Sequence, residues 1–210
     1  MKSYCIDFDD LCDGVMVQRW RNDDIHLVDF LAAWKERCPP LKVTLFTIPT
    51  RTSDATIAAL RSLGPWVALA PHGWRHTRGE CLAWTADEAI AKIRHAASRG
   101  IDAPCFRAPA WLIDGDVYTA CHALGYAVAS HMTFRIPHTG FKEYVYNLHM
   151  GAFPPSTRRV HGHLTPVAGN HIYDLHHDGL LRTDSKGVYY FPWEVAGEVK
   201  EGVVQPGGEA

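Results

Sequence analysis

A chain of 210 residues is long enough for one domain with a sizeable core and a ligand cleft, and a formal net charge of −2 offers no basic footprint for nucleic acid or an anionic membrane surface. No window approaches the run of about 20 apolar residues that crosses a bilayer, and the charged start MKSYCIDFDD lacks the apolar stretch of a signal peptide. Six scattered cysteines without a CxxC pair argue against a disulfide-stapled secreted fold, so reduced, mostly buried thiols in a soluble cytoplasmic protein are expected.

Ser3 to Phe8 reads as a short strand followed by polar breakers. Asp24 to Glu36 places Ile25, Leu27, Val28, Leu31, Ala32 and Trp34 at helical spacing until Pro39 and Pro40 stop the helix. Lys42 to Ile48 is β-rich, Asp54 to Leu63 is helical, and Trp66 to Leu69 is a short apolar run ahead of the sequence PHGWRH. Thr85 and Glu88 have the spacing of a capping box, which predicts a helix running to about Ser98 and ending at Gly100. Strands follow at Cys105 to Arg107, Ala127 to Ser130, Tyr144 to Leu148, Arg158 to His163 and Val188 to Phe191, with a helix over Asp116 to Leu124. Strands alternating with helices predict a parallel sheet or a barrel. One domain is expected over residues 1–198, and the Gly-rich polar tail 199–210 reads as disordered.

The chain also carries 13 histidines and 7 tryptophans. Histidine is the commonest nitrogen ligand for zinc-like metals, and tryptophan offers a flat apolar face to sugar rings. Four groups of residues stand directly after predicted strands, where parallel α/β folds place their active-site loops. The first is Asp7-Phe8-Asp9-Asp10. Adjacent carboxylates repel, and a cation beside them would relieve that repulsion; taken alone, a solvated acidic turn is the commoner reading. The second is His72-Gly73-Trp74-Arg75-His76, whose two imidazoles share a face if the backbone makes a helical turn. The third, Phe106 to Trp111, holds Arg107, able to orient a carboxylate bidentately, and Trp111, able to wall a cleft. The fourth is Val160-His161-Gly162-His163. Each has an ordinary structural explanation by itself, but their succession, one per strand, points to a single site.

Taken together, these residues resemble the polysaccharide deacetylase family, the NodB-homology enzymes of carbohydrate esterase family four. Phe8-Asp9-Asp10 resembles the family's first motif, which implies Asp9 as catalytic base and Asp10 as a metal ligand. His72 to His76 is similar to the second, which supplies two metal histidines. Arg107-Ala108-Pro109 resembles the third, whose arginine positions the base, and Val160 to His163 resembles the last, whose histidine is the general acid. The chain departs from the pattern at Asp7, where Thr or Ser is usual, at Gly73, where Ser or Thr is usual, and in lacking an Asp-x-x-Asp-Trp element, so it reads as a divergent member.

The resemblance implies a distorted or incomplete (β/α) barrel holding one divalent ion, zinc first among candidates, on Asp10, His72 and His76. Asp9 would take a proton from water, with Arg107 holding it, and a histidine would protonate the leaving amine. His163, nearer the strand's carboxyl end, is favoured over His161, with His177 a more distant candidate. Trp74 and Trp111 are the candidate substrate-facing residues. The implied reaction removes an N-acyl group, N-acetyl above all, from an amino sugar or a related small saccharide. The alternatives are a carbon–nitrogen hydrolase acting on a cyclic amide and a carbohydrate-binding relative without turnover. A phosphoesterase would need a basic or Gly-rich phosphate cradle, which is not found.

Overall fold

The structure, a computed structural model, describes residues 3–18, 24–129, 132–133, 145–146, 157–164 and 187–196. In chain order the first half comprises β1 (Ser3–Leu11), β2 (Met16–Gln18), β3 (Asp24–His26), α1 (Leu27–Arg37), β4 (Val43–Thr47), α2 (Asp54–Arg61), β5 (Val67–Pro71) and α3 (Ala86–Ser98). The second half holds β6 (Cys105–Phe106), β7 (Leu112–Ile113), α4 (Gly115–Ala123), β8 (Ala127–Ala129), β9 (Met132–Thr133), β10 (Val145–Tyr146), β11 (Thr157–His163), β12 (Val188–Tyr190) and α5 (Pro192–Ala196). None of the described helices is long and apolar enough to cross a membrane.

Helix ends follow the local chemistry. Thr85 and Glu88 form both bonds of the expected capping box, Glu88 N to Thr85 Oγ1 at 3.3 Å and Thr85 N to Glu88 Oε2 at 3.1 Å. Ser53 caps α2 and Asp114 caps α4, each side chain accepting from a backbone N–H of the first turn. The helix expected from Asp24 instead begins at Leu27, because Asp24–His26 pairs antiparallel with Met16–Gln18 and His26 becomes the cap. From there Leu27, Phe30, Leu31 and Trp34 form the buried stripe of α1.

One parallel sheet runs in the order β11-β1-β4-β5, with β12 sharing the edge of β1 that β4 also uses. A second has the order β10-β8-β6. A parallel bridge between His72 and Arg107 joins them, supported by bonds from Ala103 N to Leu69 O at 2.9 Å and Arg107 N to Pro71 O at 3.2 Å. The strands thus form the staves of a distorted, incomplete (β/α) barrel.

Alternation along each strand divides the two faces, and both are buried, as in sheets covered by helices. Ile6 and Phe8 of β1, Val43 and Leu45 of β4, and Val67 and Leu69 of β5 belong to one core that includes Leu31 and Trp34 of α1 and Ile57 and Leu60 of α2. Phe46, Ala70, Cys105 and Ala129 form a separate inner cluster, small except for Phe46. Polar Asp7, Asp9 and Arg107 are each 0% exposed.

β1 continues past Phe8 through the acidic run to Leu11, where a polar end was expected. Its pairing with β4 shifts between Phe8 and Leu11, so Phe8 stands opposite Leu45 and Leu11 opposite Thr47. This bulge falls at Asp9 and Asp10, and Asp10 has a left-handed backbone with φ of 67°. In an unbroken strand, neighbouring residues would point to opposite faces. The bulge releases Asp9 and Asp10 from that alternation.

Candidate active site

The carboxyl ends of the parallel strands bring the candidate residues together. Asp9 and Asp10 end β1, His72 follows β5, Arg107 follows β6 and His163 ends β11. This is the end at which parallel α/β folds build their active sites.

Arg107 is the electrostatic centre. Its Nη1 donates to Asp7 Oδ1 at 2.6 Å and to Asp9 Oδ1 at 2.5 Å, while Nε donates to the carbonyl of Ala129 at 2.9 Å. The expected bidentate clasp on one carboxylate is therefore replaced by one nitrogen shared between two. The guanidinium lies 3.8 Å from the ring centre of Phe46 and 4.6 Å from that of Trp111, so aromatic faces cover what hydrogen bonds leave. Burial alone would lower the arginine pKa, but Asp7 and then Asp9 outweigh it and hold the group above its ordinary value. Burial of Asp7 and Asp9 excludes the solvated acidic turn that is the commoner reading of such a run.

Asp10, His72 and His76 converge. Asp10 Oδ1 lies 3.2 Å from His72 Nε2 and 2.6 Å from His76 Nε2, and one donor atom from each residue falls within 4.8 Å of the others. On its other side, His72 Nδ1 lies 3.0 Å from the backbone carbonyl of Arg107. A carbonyl only accepts, so Nδ1 donates to it and Nε2 faces the carboxylate oxygen, an approach that a proton or a cation between the two would stabilise. A divalent cation at this point would also offset the negative charge of the clustered carboxylates. Two imidazoles and one carboxylate suit zinc and leave coordination positions open.

The spacing of His72 and His76 suggests a helical turn, but none forms. Gly73 and His76 both adopt left-handed backbone, with φ of 61° each, which breaks the helical bonding pattern. A left-handed non-glycine residue costs about 1–3 kcal/mol and persists where its surroundings over-determine it. Here the surroundings include Glu80, whose carboxylate accepts from the backbone N–H groups of Trp74, Arg75 and His76. A Cβ on Gly73 would stand 2.2 Å from Glu80 Oε1 and 2.6 Å from the Pro109 ring, so only glycine fits. Trp74 is half-buried and packs edge-on against His95 at 5.3 Å, and Trp111, also left-handed at φ of 63°, covers Arg107.

Backbone register places His163 level with Asp9 and His161 level with Asp7 on the neighbouring strand, and Leu164 N donates to Asp9 O at 2.7 Å. The side chains of His161 and His163, and all of His177 and residues 199–210, lie outside the described residues. Sequence reading passed over Asp7 as a site residue and Glu80 altogether. The run of three aspartates was a usable signal for the first; Glu80 left none.

Neither a family model nor a curated protein matches the sequence. Solved structures do. The Xyl-CE4 domain of a multidomain xylanase from the hindgut metagenome of Trinervitermes trinervoides superposes with a TM-score of 0.58 over 94% of this chain and 90% of its own, at 14% identity. A family 4 acetyl xylan esterase from Clostridium thermocellum, in complex with a cobalt ion, gives 0.59 over 94% and 91% at 15% identity. The chitin deacetylase of the fungal pathogen Colletotrichum lindemuthianum gives 0.53 over 92% and 86%, also at 15%. The chain has the family 4 carbohydrate esterase fold. At these identities the likeness is one of fold, and the chemistry rests on this chain's own residues.

Proposed function

We propose that the protein is a metal-dependent hydrolase that removes an N-acyl group, N-acetyl in the first instance, from an amino sugar or a related small saccharide. The observation that carries this reading is the convergence of Asp10 Oδ1 and two imidazole Nε2 atoms beside a buried carboxylate, Asp9, held by Arg107. The family 4 carbohydrate esterase fold supports it, because the solved structures that share the fold include a deacetylase and an esterase by name.

Asp10, His72 and His76 hold the ion, with zinc the best match to the donor set. A divalent ion there supplies Lewis acidity, lowering the pKa of water toward about 7 and polarising an acyl carbonyl. Asp9 receives the proton of the attacking water; its Oδ1 stays on Arg107, which fixes the direction from which the carboxylate works. Asp7 shares that arginine and keeps its guanidinium in register. His163, level with Asp9, protonates the departing amine. Trp74 and Trp111 offer ring faces to the sugar.

A panel of N-acetylated chito-oligosaccharides, an acetylated xylan and a cyclic amide, assayed with and without added zinc, tests the reading. Zinc-dependent acetate release from the amino sugars is expected. Turnover of the cyclic amide alone would move the substrate class, and saccharide binding without turnover at any metal level would replace hydrolysis with binding.

A further inference from the structure

We propose that Glu80 is a positioning residue for the metal centre: its carboxylate is the template on which the loop 73–77 folds, and through that loop it places His76 and sets divalent affinity. The inference rests on the reading of Asp10, His72 and His76 as the metal ligands.

The three donors are held by different means. Asp10 belongs to β1, and His72 is anchored by the end of β5 and the Arg107 carbonyl. His76 has neither, since it lies five residues beyond the strand in a stretch with no regular structure. Thr50 ties the loop at Trp74 O, but the backbone N–H of His76 itself bonds Glu80. Oε1 accepts from Trp74 N at 2.8 Å and His76 N at 3.1 Å, and Oε2 from Arg75 N at 3.1 Å and Thr77 Oγ1 at 3.5 Å.

Three consecutive N–H groups pointing inward form a nest that a carboxylate fills and a single carbonyl cannot. The chain enters and leaves this stretch through left-handed backbone at Gly73 and His76. Glu80 itself is fixed, because it opens a turn over Glu80–Leu82 in which Cys81 is fully buried, and its own N–H donates to Thr77 O at 3.1 Å. Gly73 belongs to the same device, as its missing Cβ is the space that Glu80 Oε1 occupies.

Loss of the carboxylate therefore releases one metal donor of three and leaves the other two in place. Partners that orient metal ligands from behind change metal affinity by about 10–100-fold. A glutamine keeps one accepting oxygen but turns an NH2 toward two of the donors, so it should fall between glutamate and alanine.

The test is a cobalt(II) titration of the metal-stripped full-length chain, followed by visible absorption, with circular dichroism of the metal-free proteins alongside. Glu80→Ala should bind cobalt about 10–100 times more weakly than the unaltered protein, with a changed absorption band. Glu80→Gln should lose less, and Arg75→Ala, altering an exposed side chain of the same loop, should match the parent. Equal affinity and an identical spectrum for Glu80→Ala overturn the inference while leaving the metal centre standing. If the parent itself binds no cobalt, the metal-centre reading fails and this one falls with it. Should Glu80→Ala not fold, Glu80→Gln decides: weaker cobalt binding supports the role, and unchanged binding removes it.

Discussion

His72 presents Nδ1 to the backbone carbonyl of Arg107 at 3.0 Å, across the bridge that joins β5 to β6. The same arginine bonds Asp9 through its guanidinium at 2.5 Å. One residue thus orients a proposed metal ligand with its backbone and the proposed base with its side chain. Replacing Arg107 by Ala removes only the second function and takes from buried Asp7 and Asp9 the guanidinium they share. Breaking such a network costs about 3–5 kcal/mol. Urea unfolding of Arg107→Ala should show a loss of that order, and a loss below about 1 kcal/mol, the scale of a surface pair, would contradict the buried arrangement.

Asp9 and Asp10 are adjacent in sequence at the bulge in β1, and the proposed roles of the two differ. Asp9→Asn is expected to keep its metal and lose about 10²–10⁴-fold in turnover, the range of a positioned general base. Asp10→Asn should lower metal content, as should His72→Ala and His76→Ala. Metal analysis of the four purified variants checks the division; full occupancy in Asp10→Asn with loss in Asp9→Asn would reverse it.

Register alone ranks the two histidines of β11, placing His163 level with Asp9 and His161 level with Asp7. An amine must be protonated to leave, whereas an activated phenolate need not be. His163→Ala should therefore retain metal and much of its activity on an activated acetate ester while amide turnover collapses, with His161→Ala milder. The opposite ranking would give the role to His161, and equal loss on both substrates in His163→Ala would remove the acid assignment.

The parallel alternation was legible because each strand is a short apolar run with turn residues behind it, and the candidate residues stand at strand ends where such folds do chemistry. The Asp-Asp pair was legible as a motif but not as geometry, since period-two alternation sends neighbours to opposite faces and only the bulge reconciles them. Asp7 was hidden because its partner, Arg107, lies 100 residues away. Glu80 was hidden for another reason: a side chain satisfying loop N–H groups leaves no periodic trace. The helical-turn reading of His72 and His76 failed where Gly73 and His76 took left-handed backbone.

All six cysteines are free and buried, as composition suggested. Burial pushes the Cys105 thiol from 9.0 up to about 12, against a smaller opposing pull from Arg107, and burial also raises Cys81 and Cys121. A thiol whose folded pKa exceeds its unfolded value contributes stability that is fully present below about pH 9 and is lost as pH rises through the folded value. Urea midpoints should fall between pH 9 and 12, and less steeply in Cys105→Ala. Alkylation of the native protein at pH 8 should be slow and become complete on unfolding; equal rates in both states would contradict the buried placement.

In the proposed reaction, hydrolysis depends on one divalent ion held by Asp10, His72 and His76. The most direct measurement returns zinc in sub-stoichiometric steps to chelator-stripped protein and follows acetate release from an N-acetylated chito-oligosaccharide in the same samples. Release should be absent in the stripped protein, rise in proportion to added zinc and level off at about one equivalent, as expected of a single three-ligand site. Undiminished release after stripping, or a plateau that His72→Ala and His76→Ala leave unchanged, would contradict the claim.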